Sequence, residues 1–277
     1  ALLLGVAIAP ASVLLLGQGR HVNTLFEGLP ALAVLLAVLA WAGTGALVWG
    51  LLAGMALQLG ALVAALVRTG GMPRPVLGLS ACEWHAFGRA LGVMAAGQVL
   101  MSLVTIVDQF VAMRLGEGQL STFGYANRTL ALATGLGGTV VARAVLPATA
   151  SLMAAGRAAQ AVELARTWSI RVLGAGMLAA SVAWVLAPPT VDLLFVRGAF
   201  GQDEATAVTE VLRWGLMQLP FYFAGVVLVQ LLASQRRYRA IAAVAAANLV
   251  VKLSANAVLV PWLGAAGLMA ATAAMYL

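Results

Sequence analysis

Long, uninterrupted apolar runs constrain the fold of this chain more than any other feature. We identify nine of them, separated by short polar joints, near residues 1–17, 28–43, 45–67, 86–114, 119–147, 168–191, 207–233, 238–260 and 262–277. A helix needs about 20 apolar residues to cross the hydrocarbon core of a bilayer. None of the runs alternates polar and apolar residues, which argues against a membrane barrel. The sequence therefore predicts an all-α, polytopic transmembrane helix bundle of about nine spans.

Composition indicates the same environment. Hydrophobic residues make up 63% of the 277 residues and charged residues 9%, whereas soluble domains average roughly 45–50% and about 25%. The net charge of +7 is spread over separate joints, so it indicates membrane topology rather than a basic surface for nucleic acid. We expect membrane lipids as partners and no nucleic acid.

The positions of the cations predict an orientation. Joints that contain arginine alternate along the chain with joints that are acidic or uncharged. The first set contains Arg20 with His21, Arg68 with Arg74, Arg157 with Arg166, and Arg236, Arg237 and Arg239, and the second set lies around Gly43, Glu117, Asp203 with Glu204, and Pro261. Since cytoplasmic joints are enriched in lysine and arginine, the first set should be cytoplasmic.

The ends of the chain and its longest joint suggest a larger architecture. The chain begins without Met inside one apolar run and stops inside another, so we expect a fragment that lacks both ends of the intact protein. The Gly- and Pro-bearing joint at 68–89 is the best boundary between lobes. We predict the end of an N-terminal lobe at 1–67 with about three spans, a cytoplasmic linker at 68–85, and a C-terminal lobe at 86–277 with about six.

Residues typical of catalysis or metal binding do not cluster. Cys82 is the only cysteine, and His21 and His85 lie in separate joints without grouped carboxylates. The sequence contains no phosphate-binding loop of the G-x-x-x-x-G-K-[ST] type. We expect no enzyme activity, no metal and no cofactor.

Two groups of small residues predict close helix packing. Gly50 and Gly54 form a G-x-x-x-G pattern, and Gly135, Gly137 and Gly138 crowd a later run. Glycines at such spacing let helix backbones approach closely in membranes.

Three charged residues lie deep inside the predicted spans. At about 1.5 Å per residue, Asp108, Arg128 and Lys252 would all lie roughly 10–14 Å below the outer boundary. An ionisable group at that depth usually faces a bundle interior or a wet cavity, because exposure to lipid costs at least about 2.5–3.5 kcal/mol. We expect Asp108 and Arg128 to interact, and Asn248, one turn from Lys252, to face the same way as Lys252.

Other interpretations of these charges stay open at this stage. Arg128 and Lys252 have long side chains that could extend to the membrane surface. Asp108 could form a purely structural pair with Arg128. Arg143, four residues before an expected helix break at Pro147, is interpreted as an anchor at the cytoplasmic interface.

Two stretches carry a resemblance to a known family. Residues 107–153, VDQFVAMRLGEGQLSTFGYANRTLALATGLGGTVVARAVLPATASLM, resemble the MurJ/MviN lipid II flippases of the multidrug/oligosaccharidyl-lipid/polysaccharide exporter superfamily. Residues 193–222, LLFVRGAFGQDEATAVTEVLRWGLMQLPFY, resemble the family's L-F-x-R-G-x-F segment and the span after it. The resemblance implies a two-lobed, inverted-V transporter in which the nine runs correspond to spans four to twelve of fourteen.

The resemblance also implies roles for individual residues. Arg128 matches an arginine that lines the central cavity and contacts the substrate's diphosphate. In sodium-dependent members the acidic position matched by Asp108 helps to hold the ion, and Asn248 and Lys252 fall near the other ion-site positions. Asn127 stands where Asp is usual, and Lys252 stands near an expected carboxylate. An ammonium group there would repel sodium and could occupy the site as a tethered cation.

The function implied by the resemblance is a flippase of the bacterial cytoplasmic membrane. It would move lipid II, or a related undecaprenyl-diphosphate-linked sugar, outward by alternating access, with Arg128, Asp108, Lys252 and Asn248 as candidate substrate-binding residues. Cell-wall synthesis proteins are further expected partners. An exporter of another polyprenyl-linked glycan or of cationic drugs is the nearest alternative, and a non-transporting membrane scaffold is an alternative from a different class.

Overall fold

A computed structural model describes residues 2–17, 26–41, 43–68, 81–198 and 200–277. These residues form ten α-helices and no β-strand, so the predicted all-α class is confirmed. The chain divides into two compact units, Ala1–Leu79 and Ser80–Leu277. The predicted joint at Arg20 and His21, Arg74, and residues 69–80 of the predicted linker lie outside the described residues.

The described residues of the first unit form three helices, α1 (Leu2–Gly17), α2 (Leu29–Ala40) and α3 (Thr44–Arg68). Helix α3 packs against both of the others. The predicted close packing of the G-x-x-x-G pattern is confirmed on this helix. A Cβ atom built on Gly50 would lie 2.9 Å from the Cβ atom of Ala37, and one built on Gly54 would lie 2.5 Å from the Cα atom of Pro30.

The second unit contains the other seven helices. They are α4 (Ala81–Arg114), α5 (Gln119–Ala154), α6 (Ala158–Phe195), α7 (Gln202–Leu216), α8 (Leu219–Ser234), α9 (Tyr238–Leu263) and α10 (Ala265–Tyr276). Their main apolar core forms where α5, α6, α7 and α10 meet the end of α4, around residues such as Phe123, Leu212 and Leu268. Helix α9 packs against α4 and α10, and this arrangement positions the buried polar residues described below.

Five of the described helices, α3, α4, α5, α6 and α9, contain a stretch long and apolar enough to cross a membrane. The number rises to six if the bent pair of α7 and α8 is counted as one span, and α1, α2 and α10 include shorter apolar stretches. Large apolar side chains remain exposed along the long helices, for example Leu136 at 73% and Val185 at 71%. Hydrocarbon is the solvent that suits such surfaces.

The predicted run at 207–233 is two helices rather than one. Helices α7 and α8 are bent by 42° at Met217 and Gln218. At the bend the buried Gln218 donates a hydrogen bond from Nε2 to the carbonyl oxygen of Gly215, at 2.9 Å. Pro220, at the start of α8, provides no backbone N–H to continue the helical hydrogen bonds.

The start of α8 packs closely against glycines of α5 and α6. A Cβ atom on Gly176 would lie 2.7 Å from the Cα atom of Pro220, and one on Gly138 would lie 2.9 Å from the hydroxyl oxygen of Tyr222. Gly137 packs in the same way against the ring of Phe223. The predicted close packing is therefore confirmed for Gly137 and Gly138. Gly135 has open space where its side chain would be.

The expected helix break at Pro147 is wrong. Helix α5 continues through this residue to Ala154. A proline inside a membrane helix removes one backbone hydrogen bond, and local adjustments can satisfy the freed carbonyl. The turn before α5 depends on two glycines with positive φ, since Gly116 and Gly118 have φ values of 121° and 80°.

Candidate functional site

A buried ion pair joins two helices of the second unit. The Nζ atom of Lys252, on α9, lies 3.0 Å from Oδ1 of Asp108, on α4. The Lys252 side chain is 0% exposed and the Asp108 side chain 8% exposed. An isolated charge in such surroundings would be very unfavourable, so each group depends on the other to remain charged.

The Lys252 ammonium is surrounded by oxygen atoms. Besides Asp108, it donates hydrogen bonds to the carbonyl oxygen of Leu268 at 2.6 Å and to the hydroxyl oxygen of Thr272 at 2.7 Å. The Thr272 hydroxyl in turn donates to the Leu268 carbonyl, at 3.0 Å, so its oxygen is available to accept from Lys252. An ammonium group has three donors, and all three are used. We call the three acceptors, on Asp108, Leu268 and Thr272, the oxygen cage.

Asn256, one turn beyond Lys252 on α9, supports the cage. Its Nδ2 atom donates to Oδ1 of Asp108, at 3.2 Å. Its own Oδ1 atom is buried and has no hydrogen-bond partner within the described part of the chain. Sequence reasoning did not select Asn256 or Thr272. The spacing of Asn256 from Lys252 was a usable signal, whereas Thr272 had none, because it lies in a short apolar helix.

The geometry confirms one prediction about the charged layer, corrects a second and excludes one alternative that was left open. Asp108 and Lys252 do lie at one level, as their predicted depths required. However, Asp108 pairs with Lys252 and Asn256, and the expected pair with Arg128 is wrong. Lys252 does not extend to a surface. Helices α4 and α5 are neighbours in sequence, but α9 packs beside Asp108, and this contact could not be read from chain order.

A cavity of about 1060 Å³ lies next to the oxygen cage within the second unit. Asp108, Thr272, Asn127 and Asn248 all line it, together with many apolar side chains. Asp108 is the only charged side chain among its described lining residues. Asn248 lines this cavity, and Lys252 is enclosed behind two of its lining residues, Asp108 and Thr272. That Asn248 faces the same way as Lys252 stays a prediction.

Arg128 lies apart from the cage, and among the described residues that line the cavity it does not appear. Its side chain is exposed, and its guanidinium carbon lies 6.0 Å from the ring centroid of Tyr125. The Tyr125 ring is held between Phe195 and Phe200, with centroid distances of 4.9 and 5.2 Å. Within the described ranges Arg128 forms no ion pair.

The second family-like segment has a structural role at the junction of α6 and α7. Two of its phenylalanines, Phe195 and Phe200, form the aromatic contacts to Tyr125. Between them, Arg197 donates a hydrogen bond to the carbonyl oxygen of Leu194, at 2.6 Å, and Gly198 adopts a φ of 64°. The segment ends one helix, turns the chain and fixes the ring beside Arg128.

Long apolar helices, a bent helix pair and a buried ion pair beside a cavity define a multi-pass helical membrane protein. The family model described as "Lipid II flippase MurJ" matches residues 25–277. The chain belongs to the MurJ family, and it is a multi-pass protein of the bacterial cytoplasmic membrane.

Curated relatives share this family. The probable lipid II flippase MurJ of Bdellovibrio bacteriovorus is 30% identical over 223 residues, which cover 80% of this chain and 43% of the relative. The lipid II flippase MurJ of Burkholderia cenocepacia is 30% identical over 242 residues, which cover 80% of this chain and 44% of the relative. The chain thus spans less than half the length of these two proteins.

Solved structures share the fold. A lipid II flippase MurJ in an inward closed conformation superposes with a TM-score of 0.69 at 16% identity, covering 98% of this chain and 57% of that one. A mutant of the Vibrio cholerae MATE transporter VcmN gives a TM-score of 0.80 at 14% identity, covering 97% of this chain and 62% of that one. The fold is therefore common to two groups of transporters.

Proposed function

We propose that the protein containing this chain is a flippase that moves lipid II, or a related undecaprenyl-diphosphate-linked sugar, outward across the cytoplasmic membrane. The match of residues 25–277 to the lipid II flippase family carries this proposal. The names of the two relatives and the shared transporter fold support it. The proposed cycle makes and breaks no covalent bond.

The proposed mechanism is alternating access of an intramembrane site to the two sides of the membrane. The cargo must bind differently in the two states, because a ligand with equal affinity for both shifts nothing. The oxygen cage ties α4, α9 and α10 together, so we expect these helices to move as one body. Helix α8 makes tight contacts with Gly138 on α5 and Gly176 on α6. We therefore expect the bent pair of α7 and α8 to move as one body with these two helices.

Arg128 is the residue that we propose contacts the diphosphate. It is exposed, it forms no ion pair within the described ranges, and the Tyr125 ring positions its guanidinium. A guanidinium stays charged and can bind two oxygens of a phosphate at once. Of the groups on the proposed cargo, the diphosphate would bind the Arg128 guanidinium most strongly.

Replacement of Arg128 tests this role. In the protein expressed from its complete reading frame, Arg128→Ala should reduce lipid II translocation at least about tenfold, since a lost charge-assisted contact costs about 1.5–3 kcal/mol. Arg128→Lys should retain part of the activity. Translocation is measured as the accessibility of lipid II at the outer face of the membrane, at matched protein levels.

Arg114 provides the matched control. It is also exposed, and its guanidinium carbon lies 4.3 Å from the ring centroid of Phe110. Arg114→Ala removes the same charge and a comparable ring contact, and it should leave translocation nearly unchanged. Equal losses in Arg114→Ala and Arg128→Ala would reject a specific role for Arg128.

Export of a neutral or cationic compound is a second candidate function. The observation in its favour is the cavity, whose described lining residues include no cationic side chain. The fold shared with a MATE transporter is compatible with it. Cells that lack their own exporters and produce this protein would then accumulate less of a cationic dye. Unchanged dye accumulation together with lipid II translocation would exclude this candidate.

A further inference from the structure

The residues around Asp108 do not fit a bound sodium ion. The resemblance to sodium-dependent flippases implied a sodium ion at the Asp108 carboxylate. Sodium is a hard cation, so its ligands at this site would be oxygen atoms. In this chain Lys252 Nζ lies 3.0 Å from the Asp108 carboxylate, 2.6 Å from the Leu268 carbonyl and 2.7 Å from the Thr272 hydroxyl. We infer that the Lys252 ammonium is a tethered cation in the place of a mobile one, and that the protein binds no sodium here.

Charge balance supports this inference. Asp108 brings one negative charge to the cage and Lys252 one positive charge, so the buried group is neutral as it stands. A sodium ion would add a second positive charge next to the ammonium. No group of three or more acidic, histidine or cysteine side chains occurs among the described residues to offset it. Repulsion between two cations in a region shielded from water would be strong.

The same geometry predicts what happens when the ammonium is removed. Lys252→Ala would leave a space bounded by the Asp108 carboxylate, the Leu268 carbonyl and the Thr272 hydroxyl. Asp108 and Thr272 also line the large cavity, so a cation could enter from there. The variant should therefore acquire a site for a monovalent cation that the parent protein lacks.

Thermal unfolding of the purified protein in detergent tests whether the unmodified protein binds sodium at the oxygen cage and whether Lys252→Ala gains a cation site. The complete protein is compared in sodium chloride, potassium chloride and N-methyl-D-glucamine chloride at equal ionic strength. We expect the same unfolding temperature for the unmodified protein in all three salts. Lys252→Ala should unfold at a lower temperature in N-methyl-D-glucamine, and sodium or potassium should raise that temperature saturably, by about 5 °C.

Two further variants make the test decisive. Lys252→Asp adds a second carboxylate to the cage. Its unfolding temperature should therefore rise at a lower sodium concentration than that of Lys252→Ala. It also serves as the test if Lys252→Ala does not fold. The double variant Asp108→Asn with Lys252→Met keeps similar side-chain volumes and removes both charges. It should respond to none of the cations beyond the effect of ionic strength.

Two results would overturn the inference. One is a saturable, sodium-specific rise in the unfolding temperature of the unmodified protein that the double variant lacks. The other is the absence of any cation response in folded Lys252→Ala and Lys252→Asp. Neither result depends on the cargo. The consequence for transport, that translocation proceeds equally well without sodium, rests on the proposed function and is measured separately.

Discussion

At the scale of single residues, the pair of Asp108 and Lys252 should dominate stability. Removing one partner leaves the other charge buried and unpaired, which costs about 3–5 kcal/mol. We therefore expect Asp108→Asn and Lys252→Met each to destabilise the protein strongly. The double variant should recover most of the loss, because neither charge remains. Unfolding in detergent measures all three variants.

The exposed pair of Glu163 and Arg166 is the control for this cycle. Its charged atoms are 3.8 Å apart, and its side chains are 72% and 68% exposed for Arg166 and Glu163. Exposed pairs contribute little, so Glu163→Gln should leave unfolding unchanged. Additive losses in the double variant of Asp108 and Lys252 would show that the two buried charges do not stabilise each other.

Sequence reasoning identified the unusual residues of the site but not their contacts. The cost of burying charge in lipid singled out Asp108 and Lys252, and counting residues placed them at one level. Counting along helices does not give the rotation of one helix against another. The pairing with Lys252 instead of Arg128, and the contribution of Thr272, follow from how α4, α9 and α10 pack.

At the scale of helices, the contact between α6 and the bent pair leaves no room for a side chain at Gly176. A Cβ atom on Gly176 would lie 2.7 Å from backbone of Pro220, and backbone cannot move aside as a side chain can. We expect Gly176→Ala to destabilise the protein by about 1–3 kcal/mol through overpacking. The loss should appear as a lower unfolding temperature.

Gly174, two residues earlier on α6, is the matched control. It has open space where a side chain would be. Alanine favours a helix over glycine by about 1 kcal/mol, so Gly174→Ala should be neutral or slightly stabilising. A loss of stability in Gly174→Ala as large as that in Gly176→Ala would contradict the proposed close contact.

All nine predicted runs coincide with helices, because runs of apolar residues in lipid must satisfy their backbone hydrogen bonds internally. The internal breaks were harder to predict. Pro147 lies inside a continuous helix, whereas Pro220 follows a 42° bend. The residue type is the same in both cases. The difference lies in the neighbours, since Gly176 gives the backbone at Pro220 room to approach α6.

At the scale of the whole molecule, the distribution of arginines predicts which joints face the cytoplasm. With Cys82 and any cysteine outside these 277 residues replaced by Ser, single cysteines can be placed at Glu117, Asp203 and Ala155, all of which are exposed. A membrane-impermeant maleimide should label Glu117→Cys and Asp203→Cys in spheroplasts. Ala155→Cys, in the joint before Arg157, should react only after the membrane is permeabilised.

The reverse labelling pattern would mean that the arginine rule misorients this protein. A mixed pattern would mean that one of the predicted spans between these joints does not cross the membrane. The experiment therefore tests orientation and the number of crossings together.

The oxygen cage also has an evolutionary consequence. Because Asp108 and Lys252 neutralise each other, a substitution at either position is harmful until the other changes. Among related proteins the two positions should covary, with an acid and a base together, two uncharged residues together, or two acids that share a bound cation. Proteins with two acids at these positions should be the ones whose stability depends on dissolved sodium. Aligned family sequences can thus be sorted into ion-dependent and ion-independent members from two columns alone.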